Sequence, residues 1–363
     1  MIYKVEDKSS ALIIYCNDEF GGAERRLIRL YNEMGKLHNI ELIVRGCDET
    51  TFLIRVEKAD CNITEISKIS YFNNNLMCLI YLFFSDFENI HYFDLCGFNI
   101  WVAKIMRFKH TRTLLTIAFQ DYAYGLITDK VKKRLSKLIN TTTKVDVLFP
   151  AGKSYLAEIS NNNNITVTPG TFTKLDAFIP QRKEKLLLFA AARLEKAKNA
   201  DLLLEACYLC KEELRRQHYK VVIAGKNFEE NVLKTKIKKY QINDIIDMPG
   251  YLKISEIIPR VEMFFCLDLV DNYPSQTIAE AVACGCCLVC TDVGYSKMCG
   301  SKDFTYFVKN NCEDLAMVIE KYILKTDAEK KQIEISARKY AEEFYNIENS
   351  RKYFEKLVWG DNK

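Results

Sequence analysis

Met263, Phe264, Phe265, Cys266 and Leu267 form an apolar run suited to one buried strand; Cys286, Cys287, Leu288, Val289 and Cys290 form a second. Between them the polar break at 270–274 gives way, from Ser275, to small and apolar residues at helical spacing that stop at Gly285. Ser275 stands where an N-cap belongs. Strand, polar loop, helix and strand in that order make a βαβ unit, which demands a parallel sheet with helices on its faces. The unit also sets the loop at the carboxyl end of a strand, where open α/β sheets hold ligands. Free N–H groups at the helix start favour an anion there.

The same alternation recurs along the chain. Residues 11–15, 40–45, 89–94, 112–119 and 145–150 read as strands of a first domain, and 185–191 and 219–225 as strands of a second. Residues 51–70 carry no clear period, and the apolar stretch 76–84 fits a strand or a helix. Gly21 and Gly22, between the first strand and the first helix, let backbone approach a phosphate or sugar. Arg193 and Lys198 frame a loop after the strand 185–191, where two cations can neutralise a leaving diphosphate without a metal. Gly225 ends the strand 219–225. The helix predicted at 130–138 is basic; it makes a solvated face or touches an anionic membrane.

Several of these stretches share their wording with one family. Asp271, Asn272, Tyr273 and Pro274, followed by Glu280, Ala281, Val282, Ala283, Cys284 and Gly285, resemble the donor-sugar motif of the family 4 (group 1) glycosyltransferases. The Gly21-Gly22 loop and the Arg193–Lys198 spacing resemble that family's donor loops. The resemblance implies a GT-B fold: two α/β, Rossmann-like domains facing across a cleft. It implies a 1–175 acceptor domain, a 176–343 donor domain, and a last helix at 344–363 that crosses back to the first. The implied reaction is retaining transfer of a sugar from a UDP- or GDP-linked donor to a hydroxyl, with no further cofactor and no metal. Arg193 and Lys198 would then hold the diphosphate and Glu280 the ribose. Asp271 or Asn272 would hold the sugar. Tyr273, Pro274, Ser275, Gln276 and Thr277 would line the loop and helix start, Gly225 at its strand tip would also face the donor, and Gly250 and Tyr251 would lie nearer the base. One extra residue separates Asp271 from Glu280, and Asn199 replaces the family's glycine after the lysine. In the first domain Gln120 and Asp121 occupy a corner where the family often has a His-Asp pair. Gln cannot act as a base, so Gln120 either binds sugar hydroxyls or merely caps a strand end. His91, inside a predicted strand, is either a sugar-binding or a structural residue.

Composition narrows the classes. The 363 residues suit two domains, and 48% hydrophobic with 28% charged residues suits a soluble protein. No run is long enough for a transmembrane helix, and the N-terminus lacks the apolar core of a signal peptide. Fourteen cysteines without an export signal point to a reducing cytoplasm. Cys207 with Cys210, and Cys287 with Cys290, lie in a helix and a strand pattern and read as buried thiols rather than zinc ligands. A net charge of +4 gives no nucleic-acid footprint. The expected partners are a nucleotide-sugar donor and a glycan or lipid-linked acceptor, in polysaccharide or lipid-linked glycan assembly. Peripheral contact at the inner face of a membrane stays open. The competing expectation is a catalytically impaired nucleotide-sugar-binding subunit beside an active transferase.

Overall fold

The computed structural model describes residues 9–16, 22–59, 61–93, 97–118, 121, 125–226, 229–271 and 273–360. Contacts divide the chain into two units, with breaks after Pro169 and after Ile347; residues from Glu348 on return to the first unit.

The first unit holds seven strands: β1 (Ser10–Tyr15), β2 (Ile40–Arg45), β3 (Lys68–Phe72), β4 (Asn89–Phe93), β5 (Arg112–Ile117), β6 (Lys144–Val147) and β7 (Ile165–Val167). They form one sheet in the order β3-β2-β1-β4-β5-β6-β7, parallel throughout. β2 and β4 are buried along their whole length, as strands covered on both faces must be. The open stretch 76–84 is a helix, Asn75–Phe84, started by the Asn74 side chain, which accepts from the Leu76 and Met77 N–H groups. The open stretch 51–70 divides into the helix Glu49–Lys58 and the edge strand β3.

The helix Ile347–Trp359 is bound into this unit by its polar edge and its rings. Tyr353 donates to Asp146 at 2.7 Å, and Asp146 also accepts from Thr168 at 2.7 Å. Phe354 stacks on His91, and Trp359 stacks on His38. Arg112 and Lys144 donate to the helix's last carbonyls, at Trp359 and Leu357, where cations complement the helix dipole.

The second unit holds six strands: β8 (Leu186–Arg193), β9 (Lys220–Lys226), β10 (Ile246–Gly250), β11 (Met263–Cys266), β12 (Cys287–Thr291) and β13 (Thr305–Val308). Their order is β10-β9-β8-β11-β12-β13, again all parallel. β11 and β12 are the two apolar runs of the βαβ unit, paired from Met263 with Cys287 to Cys266 with Cys290. The helix Gln276–Ala283 between them is buried on almost every side; alanines at 279, 281 and 283 let it fit under the helix Asp327–Phe344. Ser275 takes the N-cap place but makes no side-chain cap bond. Cys207, Cys210, Cys287 and Cys290 are free and buried, and burial pushes the Cys210 thiol up to about 12.

Candidate active site

The strand order of the second sheet turns back between β8 and β11, and ligands of open parallel sheets bind at the carboxyl ends of the strands flanking such a point. Arg193 is the last residue of β8. A register shift between Ala190 and Arg193 opens the strand end. Gly225 on β9 makes room for it: a Cβ there would lie 2.4 Å from the Ala191 carbonyl, at a φ of +147°. Gly225 therefore has a packing reason of its own.

After β8 a short 3-10 turn, Lys196–Lys198, ends at Asn199, whose backbone is left-handed at φ 59° and ψ 37°. Asn tolerates that conformation at modest cost, and the side chain is fixed by a 2.8 Å bond to Asn310. Arg193 projects into solvent and pairs with Glu195 at 3.1 Å. Lys198 reaches back across the switch point and donates to Asp268 at 2.6 Å. Asp268 is buried, accepts from the Cys266 thiol at 3.2 Å, and lends its carbonyl to the Thr291 hydroxyl at 2.6 Å. The Leu269 N–H donates to Ala197 at 2.9 Å, so the loops after β8 and β11 are joined by backbone as well as by charge.

Asp271 is buried and accepts from the Tyr273 N–H at 3.0 Å. It packs onto Gly294, where a Cβ would fall 2.4 Å from the Asp271 Cβ. Tyr273 is buried as well. Pro274, Ser275 and Thr277 are half-buried at the start of the helix Gln276–Ala283. Gln276 is directed elsewhere: its amide donates to the Phe172 carbonyl at 2.5 Å and accepts from Thr171 at 3.4 Å, fastening the 171–172 segment. Glu280 is buried within the same helix. Gly250 ends β10, and Tyr251 just beyond it is exposed.

The first-unit candidates do not form a described cluster. Gly21, Gln120 and, in the second unit, Asn272 lie outside the described residues. Gly22 opens the helix Gly22–Met34, and Asp121 is exposed. The sugar-binding alternative for His91 is corrected: the ring is buried in β4, with Tyr31 at 2.8 Å from Nδ1 and Thr116 at 2.8 Å from Nε2. Burial lowers its pKa to about 3, so it is a neutral core histidine.

Four residues at this corner were not among the sequence candidates: Glu195, Asp268, Gly294 and Asn310. Asp268 had a signal, a carboxylate standing directly between the apolar Leu267 and Leu269 at the end of a strand. The others become visible only when the loops are brought together.

Two sets of relatives bear on this corner. Residues 171–340 match the family described as glycosyl transferases group 1. The chain is 26% identical over 221 residues to an N-acetylgalactosamine-N,N'-diacetylbacillosaminyl-diphospho-undecaprenol 4-alpha-N-acetylgalactosaminyltransferase of Campylobacter jejuni, covering 57% of this chain and 59% of the relative. It is 27% identical over 131 residues to the GtfA subunit of a UDP-N-acetylglucosamine–peptide N-acetylglucosaminyltransferase of Streptococcus pneumoniae, covering 36% of this chain and 25% of the relative. The chain thus spans less than two thirds of the length of either. The crystal structure of Anabaena HepE with UDP and glucose superposes with a TM-score of 0.75 at 12% identity, covering 97% of this chain and 99% of that one. The fold is accordingly the two-domain, parallel-sheet GT-B fold.

Proposed function

We propose that this chain, whose residues 171–340 belong to the group 1 glycosyl transferases, moves a sugar from a nucleotide diphosphate donor to a hydroxyl acceptor with retention at the anomeric carbon. One observation carries the reading: Arg193 ends β8, Lys198 lies in the turn after it, and the helix Gln276–Ala283 follows β11, and β8 and β11 are the two strands that flank the switch point of the second sheet. Two cations and a helix N-terminus there suit a diphosphate.

In this reading the second unit holds the donor, UDP- or GDP-linked, and the first holds the acceptor. Lys198 keeps one N–H on Asp268 and offers the others to the diphosphate; an ammonium has three donors. Arg193 leaves Glu195 for the phosphate oxygens, since an exposed ion pair is weak. Charge that builds on the departing diphosphate is then met by groups already in place. Glu280 accepts from the ribose hydroxyls, and Asp271 or Asn272 reads the sugar. Asp271 already accepts from the Tyr273 N–H, so a sugar hydroxyl would share its carboxylate with that bond. The names of both relatives contain an N-acetylhexosamine, which makes UDP-linked N-acetylhexosamines the first donors to try. The first of them is named for a diphospho-undecaprenol-linked acceptor, which supports the reading of a glycan or lipid-linked acceptor, in polysaccharide or lipid-linked glycan assembly.

Nucleotide release from UDP- and GDP-sugars, with and without acceptor glycans, tests the proposal. Because the two cations take the leaving charge, a chelator should leave turnover unchanged; a strict metal requirement contradicts this chemistry. Glu280→Gln should weaken binding of the free nucleotide and of its sugar conjugate alike, by about tenfold, as calorimetric titration would show. A loss confined to the sugar conjugate would remove Glu280 from the ribose.

A further inference from the structure

Helices Asn75–Phe84, Gly97–Phe108 and Asp129–Thr141 of the first unit pack side by side and send Cys78, Leu82, Val102, Met106, Leu135 and Leu138 into the core. Their outer sides are unlike ordinary surface. On the first helix Leu76, Met77, Ile80 and Phe84 are exposed, Phe84 to 80%, at a spacing that lays them along one stripe. Trp101 and Phe108 stand out from the second, Phe108 to 75%. The Phe83 ring stacks toward Phe108 at 6.4 Å and lies edge-on to Phe84 at 5.3 Å, which joins the two stripes into one apolar surface. Contiguous exposed patches of this kind mark interaction surfaces.

The charges around the patch identify the partner. Neither of the first two helices carries an acidic residue; the second carries Lys104, which lies 4.6 Å over the Trp101 ring, and Arg107. The third carries Lys130, Lys132, Lys133, Arg134 and Lys137 against a single carboxylate, Asp129, in its first turn. Asp86, just past Phe84, is an exposed acid at the margin. No helix among the described residues is long and apolar enough to cross a membrane.

We propose that this face docks on an anionic lipid bilayer, with the aliphatic and aromatic side chains entering the headgroup boundary and the lysines and arginines meeting lipid phosphates. A second copy of the face would oppose cation to cation, whereas an anionic bilayer neutralises them. The inference does not depend on the transfer reaction, because its readout is lipid binding.

Flotation of the full chain with phosphatidylcholine–phosphatidylglycerol vesicles, and with phosphatidylcholine vesicles alone, tests it. Binding should be confined to the anionic vesicles and should weaken with salt. Phe84→Ser with Phe108→Ser, and separately Lys133→Gln with Arg134→Gln, should each lower partitioning by about tenfold or more. All four positions are exposed, so melting temperature and nucleotide binding should be unchanged. Failure to float with anionic vesicles overturns the proposal, as does equal floating of wild type and the charge variant. Concentration-dependent dimerisation that the apolar variant abolishes would also overturn it, assigning the face to self-association.

Discussion

Lys198 and Asp268, 2.6 Å apart, differ in exposure: the lysine side chain is one-third exposed and the aspartate almost enclosed. The buried partner therefore dictates where the ammonium stands. Asp268→Asn preserves shape but removes the charge that holds Lys198, so turnover should fall about tenfold while nucleotide affinity falls less. Steady-state kinetics with calorimetry separates the two; a loss of affinity with turnover unchanged would mean that Asp268 serves binding alone. His91 makes a second residue-scale prediction, about stability. Its pKa is lowered from 6.5 to about 3 by burial, so between those values the unfolded chain binds a proton that the folded chain does not. Stability from this group is complete above about 6.5 and declines as pH falls, by up to about 1.4 kcal/mol per pH unit. Asp146, bonded to the same Thr116, is raised by burial and acts in the opposite sense, so the comparison must be with His91→Gln. The variant's melting temperature should drop less steeply between pH 6.5 and 4.5 than that of wild type; parallel curves would contradict the assignment. Arg193 and Lys198 could be proposed from the sequence because both flank one short loop directly after a strand. Asp268 and Gly294 could not, because their meaning lies in what faces them across the sheet.

At the scale of elements, the βαβ unit was readable because two short apolar runs bracket a loop and a helix with a glycine stop. The helix Asn75–Phe84 was not: after Asn75 every residue is apolar, and such a run has no period to separate helix from strand. β3 was missed for the opposite reason. It is a partly exposed edge strand that alternates only weakly. The same helix's apolar outer side, which keeps its period hidden, is what makes it a candidate membrane face. The helix Ile347–Trp359 carries its own test. Phe354 is fully buried against His91, so Phe354→Ala should cost about 3–5 kcal/mol. Tyr353→Phe leaves Asp146 one donor short and should cost about 1–3 kcal/mol. Urea denaturation followed by circular dichroism measures both; no change for Phe354→Ala would mean the helix adds nothing to the first unit.

Over the whole molecule, the sequence announced its fold through alternation: two all-parallel sheets follow from near-continuous apolar strands separated by helices. The residues proposed for the donor could be picked out in the sequence because they are contributed by two short loops, each intact in sequence. The acceptor side was not legible, since Gly22, Asp121 and His91 come from separate strands and loops and His91 proves to be core. If the loop after β8 holds the departing diphosphate, turnover of Arg193→Ala and Lys198→Ala on the donor that wild type uses fastest must fall. Each variant should lose about 100-fold in kcat, near 3 kcal/mol of transition-state stabilisation, with a smaller change in nucleotide affinity. If both variants keep turnover within about threefold of wild type, the loop is solvated surface and the diphosphate is held elsewhere.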